Sequence, residues 1–169
     1  DDLGLDIPFP AEITLIKSTG EEESGAAYCR GPVIIFPQRF VDFAPYVLES
    51  IFVHELFHVV SNQNRHLRPA LYGILGFKEC NEVILPRALS VRAITNPDSY
   101  ENNYRIEVDY KRDKTDVIPV MFSSKKQYEP GSGKVEFSYL VFRLLVVEER
   151  DGIWKYKLVD KTPLLLSAD

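Results

Sequence analysis

The segment FVHELFHVVSN, residues 52–62, places two histidines four positions apart, with a glutamate directly after the first. On an α-helix, residues i and i+4 project from one face, so His54 and His58 can direct their imidazole nitrogens at one point. Such a pair can bind Zn²⁺ at about 2.0–2.1 Å from each nitrogen. Glu55 lies one position further round the helix, within reach of a water on the metal. The motif HELFH therefore predicts metal-assisted hydrolysis of an amide bond.

The alternative interpretation of this segment is a buried helix that happens to contain two hydrogen-bonded histidines. Apolar residues recur at helical spacing from about residue 44 to residue 62 and cover most of the circumference, which predicts a long buried helix. The chain has 3 histidines in all, and two of them fall in this motif. A carboxylate in an apolar helix is costly unless a cation compensates its charge, so Glu55 favours the metal site.

Proline and glycine mark the ends of two predicted helices. Pro45 falls in the first turn of the long helix, and Asp42 is placed to cap it. A second helix is predicted from about residue 68 to residue 75, because Pro69 suits its first turn and Gly76 follows its end.

Two segments before the long helix have the composition of strands. Residues 12–17, EITLIK, alternate between polar and apolar side chains, which predicts a half-buried strand. Residues 26–37, AAYCRGPVIIFP, are rich in β-branched residues but contain Gly31 and Pro32. Because proline cannot donate to a central ladder, we expect an edge strand here, or two short strands.

The rear half of the chain is strand-rich. Asp151-Gly152 is a strong hairpin dipeptide, and it predicts a turn between the last two of the predicted strands. A helical front half with a strand-rich rear half predicts an α+β fold. The predicted strands are RIEVDY (105–110), VIPVMF (117–122), VEFSYLVFRLLVVEE (135–149) and IWKYKLV (153–159).

HELFH and the extended segment before it resemble the zincin metallopeptidases, particularly their gluzincin branch. The likeness covers residues 12 to about 75. It implies a small mixed sheet with an edge strand that packs on the buried motif helix and pairs with a peptide substrate. It further implies that His54 and His58 bind Zn²⁺ as the cofactor and that Glu55 acts as the general base.

The resemblance also gives an expected organisation of the chain. Residues 1–104 would form the zincin-like metal-binding part, and residues 105–169 a β-rich part of the same domain. The substrate would be a peptide or protein. A different class of function remains open, a zincin-like binding module without catalysis that offers its exposed strand to a partner peptide.

A catalytic zinc ion normally has three protein ligands and an open position, so a third ligand is needed. The metzincin pattern HExxHxxGxxH is not met, since Ser61 and Asn64 stand at its glycine and third-histidine positions. His66 comes two residues late and is expected to be exposed.

A gluzincin takes its third ligand from a glutamate on a later helix. Glu79 and Glu82 fall near the usual distance, although Pro86 argues against a continuing helix there. The remaining option is a glutamate beyond residue 169. A structural site with four protein ligands is a weaker reading, because the chain offers too few convincing ligands.

An oxyanion-stabilising group is the other part that such a site requires. With the histidines accounted for, tyrosines in loop-like sequence are the candidates, chiefly Tyr100 and Tyr104, with Tyr128 and Arg105 as further possibilities. The competing interpretation is that these tyrosines pack at the bases of loops.

Composition narrows the classes of partner. The chain is 45% hydrophobic and 27% charged, with a net charge of −5, which argues against a nucleic-acid surface. No apolar run approaches the roughly 20 residues that would span a membrane. Cys29 and Cys80 are compatible with one disulfide or with two thiols. The sequence start resembles a processed end, which favours a secreted or extracytoplasmic protein.

Overall fold

The computed structural model describes residues 7–22, 25–94, 101–124 and 140–167. It has an α+β fold, as predicted, with its longest helix in the front half and its long strands in the rear half. The chain forms two compact units, Asp1–Arg68 and Pro69–Asp169. The sequence places its change of character later, after residue 104.

The first unit contains a small mixed sheet of β1 (Thr14–Ser18), β2 (Tyr28–Arg30) and β3 (Val33–Pro37). The strand order is β1-β3-β2, with β1 parallel and β2 antiparallel to β3. The segment at residues 26–37 is therefore two short strands joined by a turn. Within this segment, β3 is the central strand of the sheet, and only β2 lies at an edge as predicted.

β1 confirms the first predicted strand with a shift of two residues, but its expected half-burial is wrong. Four of its five residues are exposed, and the apolar side chains of Leu15 and Ile16 are 58% and 44% exposed. Alternation of polar and apolar residues predicts a covered face only where another element lies over the strand. The core cluster of this unit contains no β1 side chain.

The motif helix, α1, runs from Pro45 to Gln63 and confirms the predicted helix to within a residue at each end. The predicted cap is wrong. Ala44 occupies the N-cap position without a side-chain hydrogen bond, and Asp42 lies in a short 3-10 helix, Gln38–Asp42. Predicted full burial is also wrong, since Tyr46 and Val53 are 72% and 56% exposed.

One face of α1 packs on the sheet of the first unit. The core there combines Cys29, Ile34 and Phe36 from the strands with Val59 from the helix. Register places Cys29 opposite Ile34 on neighbouring strands, so both side chains point to the helix side of the sheet. The helix thus covers this side of the sheet.

The chain leaves α1 through a short 3-10 helix, Arg65–Leu67, and enters α2, Arg68–Ile74. This confirms the second predicted helix. Gly76 follows with φ +88 and its amide donates to the Gly73 carbonyl at 3.0 Å, the left-handed termination that glycine permits.

The second unit is built on antiparallel strands. Its elements are β4 (Phe77–Glu79), α3 (Arg87–Ser90), β5 (Tyr104–Tyr110), β6 (Asp113–Ser123), β7 (Leu140–Arg150), β8 (Ile153–Tyr156), β9 (Leu158–Val159), β10 (Thr162–Pro163) and β11 (Leu165–Ser167). The strand order of its large sheet is β11-β7-β6-β5-β4, with β8 paired to β7. The strands predicted at residues 105–110, 117–122 and 135–149 are confirmed where the structure describes them, while residues 135–139 lie outside the described residues. The single strand predicted at residues 153–159 is wrong, because β8 ends at Tyr156 and Leu158–Val159 forms a separate strand, β9, in another sheet. Asp151 and Gly152 form the predicted hairpin turn with φ +55 and +76.

This unit has its own apolar core, in which β6 and β7 supply the largest share. Ile118, Val120 and Leu145 are among its fully covered side chains. No helix within the described ranges is long and apolar enough to cross a membrane.

Candidate metal centre

The two histidines of α1 lie with their side-chain nitrogens together. His54 Nε2 and His58 Nε2 are 3.0 Å apart, and the ring centroids are 4.7 Å apart at an interplanar angle of 80°. The i, i+4 spacing produces this proximity, because one turn of helix stacks the two side chains. His54 is exposed and His58 is half-buried, so the pair is open to solvent on one side.

The separation of the two nitrogens fits two chemical states. Two nitrogens bound to one tetrahedral Zn²⁺ at about 2.0–2.1 Å lie roughly 3.3–3.4 Å apart, close to the spacing in this helix. The same 3.0 Å also suits a hydrogen bond in which one Nε2–H donates to the other ring. The pair is therefore arranged to hold a cation with little rearrangement.

Glu55 is the most deeply buried carboxylate of the described residues. Only 5% of it is exposed, although it lies between His54 and Leu56 on the same turn of α1. Burial of an ionised carboxylate is costly unless charges or hydrogen bonds compensate it. A protein retains such a residue where its chemistry is useful, and this is the position that the motif assigns to the general base.

A clamp that the sequence did not predict holds the end of α1. Arg68 is buried, and its Nε donates a hydrogen bond to the Ser61 carbonyl at 2.9 Å. Its guanidinium also donates to the Asn62 side-chain oxygen. The Asn64 side-chain amide donates to the Val60 carbonyl at 3.0 Å. A basic side chain that donates to the last carbonyls of a helix is a recognised C-terminal cap. The sequence shows that an arginine follows the helix, but it does not show which carbonyl this arginine contacts.

The candidate third ligands lie in the second unit. Glu79 is an exposed residue of β4, and Glu82 is an exposed residue of the loop that follows, not of a helix. Among the residues that the structure describes, no three His, Cys, Asp or Glu side chains form a group that could hold a metal ion. The third ligand therefore stays a prediction, whether Glu82, Glu79 or a residue beyond residue 169.

Asn81 fixes the loop that carries Glu82. Its side-chain amide donates to the Trp154 carbonyl at 3.0 Å, and the Trp154 amide donates to the Asn81 side-chain oxygen at 2.7 Å. The Asn81 side chain thus makes the same pair of hydrogen bonds with Trp154 of β8 that a backbone residue of a neighbouring strand would make. No feature of the sequence around Asn81 predicted it, since the partner is more than seventy residues away.

The candidate oxyanion residues are only partly described. Tyr104 is half-buried at the start of β5, and its ring meets that of Tyr72 edge-on with centroids 4.6 Å apart. Arg105 forms an ion pair with Asp116 and lies over the Trp154 ring, 3.9 Å from its centroid. Tyr100 and Tyr128 lie outside the described residues. His66 is exposed, as expected.

Comparison of the chain with protein-family models, with curated proteins and with solved structures found no match. The likeness to zincins therefore rests on the residues of α1 and the strands before it. Both cysteines are thiols in the structure, Cys29 buried and Cys80 half-buried.

Proposed function

We propose that this protein is a zinc-dependent metallopeptidase of zincin type, in which His54 and His58 bind the metal and Glu55 is the general base. The observation that supports it most is the 3.0 Å separation of the two Nε2 atoms beside a carboxylate that is 5% exposed. A histidine pair with no chemical role would not require a buried glutamate next to it in the helix.

The roles follow from the side chains. Zinc bound by the pair would supply a water with a pKa near neutrality and would polarise the scissile carbonyl. Glu55 would accept the proton of that water as it attacks and deliver it to the leaving amine. The Arg68 clamp would keep the end of α1, and with it the spacing of the histidines, fixed.

The strand arrangement is compatible with a peptide substrate. In the described part of the first unit, β2 lies at one side of the sheet and pairs with β3, which is the position that a zincin-like fold would offer to an extended peptide. α1 packs against β2 as well as β3. A peptide along β2 would run beside the helix that carries the two histidines. The oxyanion-stabilising group stays a prediction, with Tyr100 and Tyr104 as its candidates.

The decisive experiment combines zinc stoichiometry with peptide cleavage. Glu55→Gln is expected to lower the rate of peptide cleavage about 10²–10⁴-fold while zinc binding persists, because general-base catalysis contributes that much. Glu49→Gln, an exposed carboxylate on the same helix, is the matched control and should leave both quantities unchanged.

Zinc binding is tested with the histidines separately. His54→Ala and His58→Ala should abolish zinc binding, whereas His66→Ala should not. Failure of the wild-type chain to bind zinc at tenfold excess would refute the proposal. Absence of cleavage by the zinc-bound wild-type chain, together with peptide binding along β2 that is insensitive to chelators and to Glu55→Gln, would instead assign the chain to the non-catalytic binding modules.

A further inference from the structure

The sheet of the first unit has a second face, and that face contains a cleft of about 490 Å³. Its floor includes Ile16 and Ile35, its far side includes Tyr28, and Ser18, Glu21 and Glu22 close one end. A volume of this size lies within the range of about 300–1,000 Å³ that is usual for ligand sites.

The cleft lies on the side of the sheet opposite α1. Successive side chains of a strand point to opposite faces. Ile34 and Phe36 pack in the core under α1, so Ile35 between them points the other way. Register pairs Ile35 with Ile16 on β1 and with Tyr28 on β2, which places both on the same face as Ile35.

β1 borders this cleft and has an open edge. The Thr14 amide donates to the Pro32 carbonyl at 3.1 Å, which directs the backbone groups of Thr14, Ile16 and Ser18 towards β3. Those of Leu15 and Lys17 therefore point outward, where β1 has no strand partner among the described residues. The backbone N–H and C=O groups of Leu15 and Lys17 can therefore pair with an added strand.

The charge at the closed end of the cleft is negative. Glu21 and Glu22 lie in the turn after β1 and are both exposed, and the Tyr28 hydroxyl donates a hydrogen bond to Glu22. Arg30 lines the cleft as well, but it lies on β2, two strands away from the open edge, with its guanidinium 5.2 Å from the Tyr28 ring centroid. Two carboxylates and one guanidinium therefore line the cleft, so that its lining is net negative.

We propose that the β1 edge and this cleft bind an extended peptide that carries a lysine or arginine. The peptide backbone would pair with Leu15 and Lys17. Alternate side chains would then enter the cleft face about 6.6–6.8 Å apart, an apolar one beside Ile16 and the basic one beside Ser18, within reach of Glu21 and Glu22.

This site is separate from the proposed metal centre. The helix that carries His54 and His58 covers the other face of the sheet, so chelators and Glu55→Gln should not change peptide binding here. Failure of the hydrolase proposal and failure of this one are therefore distinguishable.

The first test measures charge preference. Fluorescent heptapeptides of alternating Thr and Val, with a central Lys, Leu or Glu, are titrated against the full chain with a chelator present. The Lys peptide should bind about threefold to tenfold more tightly than the Glu peptide, the scale of one or two exposed ion pairs. Glu21→Gln combined with Glu22→Gln should remove that difference. Equal affinity of the Lys and Glu peptides for the wild-type chain would overturn the proposal.

The second test removes the outward backbone donor. Leu15→Pro deletes an N–H that does not bond β3, so the strand should keep its internal pairing while peptide affinity falls about tenfold or more. Leu15→Ala, which keeps the N–H, should change affinity less than threefold. Unchanged binding to the Leu15→Pro chain would overturn the proposal.

A third measurement covers the case in which Leu15→Pro does not fold. N-methylation of the Lys peptide at successive positions should weaken binding at alternate residues only, because only alternate N–H groups face β1. Uniform effects along the peptide would overturn the proposal. A wild-type dimer in sedimentation that dissociates when the outer edge of β1 is altered would also overturn it, by assigning that edge to a second copy of the chain.

Discussion

The two units of this chain differ in what they bury. In the described part of the first unit, three polar side chains are buried: Glu55 in the middle of α1, Ser61 near its end and Arg68 just beyond it. In the described part of the second unit, the buried side chains are apolar. Buried polar groups cost stability unless they are matched, so the first unit carries more of this cost at its buried residues than the described part of the second unit does.

That difference concerns how the buried polar groups of each unit are matched. At the end of α1 the Arg68 guanidinium donates to the Ser61 backbone carbonyl, and the Ser61 hydroxyl donates to the His58 carbonyl at 3.2 Å. Glu55 lies on the same helix next to His54, one of the two proposed zinc ligands. The charge pairs in the described part of the second unit are at least partly exposed, such as Lys114 with Asp109 at 2.9 Å. A sheet with an apolar core has no buried polar groups that hydrogen bonds or opposite charges must offset. Proteins bury polar groups in place of apolar ones chiefly at functional sites.

The largest expected effect tests the apolar core of the second unit. Leu145 on β7 is 0% exposed, and Leu145→Ala should lower the free energy of unfolding by about 2–5 kcal/mol through lost burial and a cavity. Urea denaturation measures this. Leu158→Ala, at a side chain that is 48% exposed, is the matched control and should change the value by less than about 0.5 kcal/mol. Equal effects of the two changes would remove the basis of the comparison.

A smaller effect is expected at the clamp of the first unit. Arg68→Met keeps much of the aliphatic stem but removes the donors to Ser61 and Asn62, so a buried carbonyl is left without its hydrogen bond. We expect a loss of about 1–3 kcal/mol in unfolding free energy. Amide hydrogen exchange should show the loss of protection in the last turns of α1 and not in β6 or β7.

The control for that change is Arg65→Met, at an exposed arginine of the neighbouring 3-10 helix. It should alter stability by less than about 0.5 kcal/mol. If Arg65→Met and Arg68→Met were equivalent, the buried guanidinium would have no role in holding α1, and the polar burial of the first unit would need another explanation.

Local patterns predicted those features that depend on neighbours in sequence. α1 and the adjacency of His54 and His58 follow from helical spacing alone, and the Asp151-Gly152 turn follows from residue types that tolerate positive φ. Two other tight turns were not predictable in this way. Lys111 and Arg112 have φ +50 and +75, and Asp160 and Lys161 have φ +49 and +64. There the pairing of the flanking strands imposes a conformation that no glycine or asparagine signals.

The remaining misses concern partners that are distant in sequence. The exposure of β1 depends on which strands α1 covers, and the contact of Asn81 with Trp154 depends on the path of β8. Arg68 caps α1 only because the chain turns back at residues 65–67. The same limitation applies to the third metal ligand, since no local spacing specifies a residue that tertiary structure must bring to the histidine pair.

The smallest expected effect concerns Cys80 in the second unit. Burial raises the pKa of its thiol above the ordinary value of 9.0, with Arg105 lowering it and Glu82, Asp116 and Glu79 raising it further. The folded state therefore holds the thiol proton more tightly than the unfolded state. Below pH 9 both states are protonated and nothing is gained or lost, whereas above it the unfolded chain ionises first, so stability falls as the pH rises.

Urea denaturation between pH 7 and pH 10 tests that sign. The unfolding free energy of the wild-type chain should fall more steeply above pH 9 than that of Cys80→Ala, while the two curves should run parallel below it. The alanine variant is expected to show a constant offset, because Cys80 packs against the apolar core. Thiolate absorbance of the folded chain should rise only above pH 9. A wild-type slope equal to that of the variant, or ionisation below pH 9, would show that Arg105 outweighs burial, and that charge governs this part of the second unit after all.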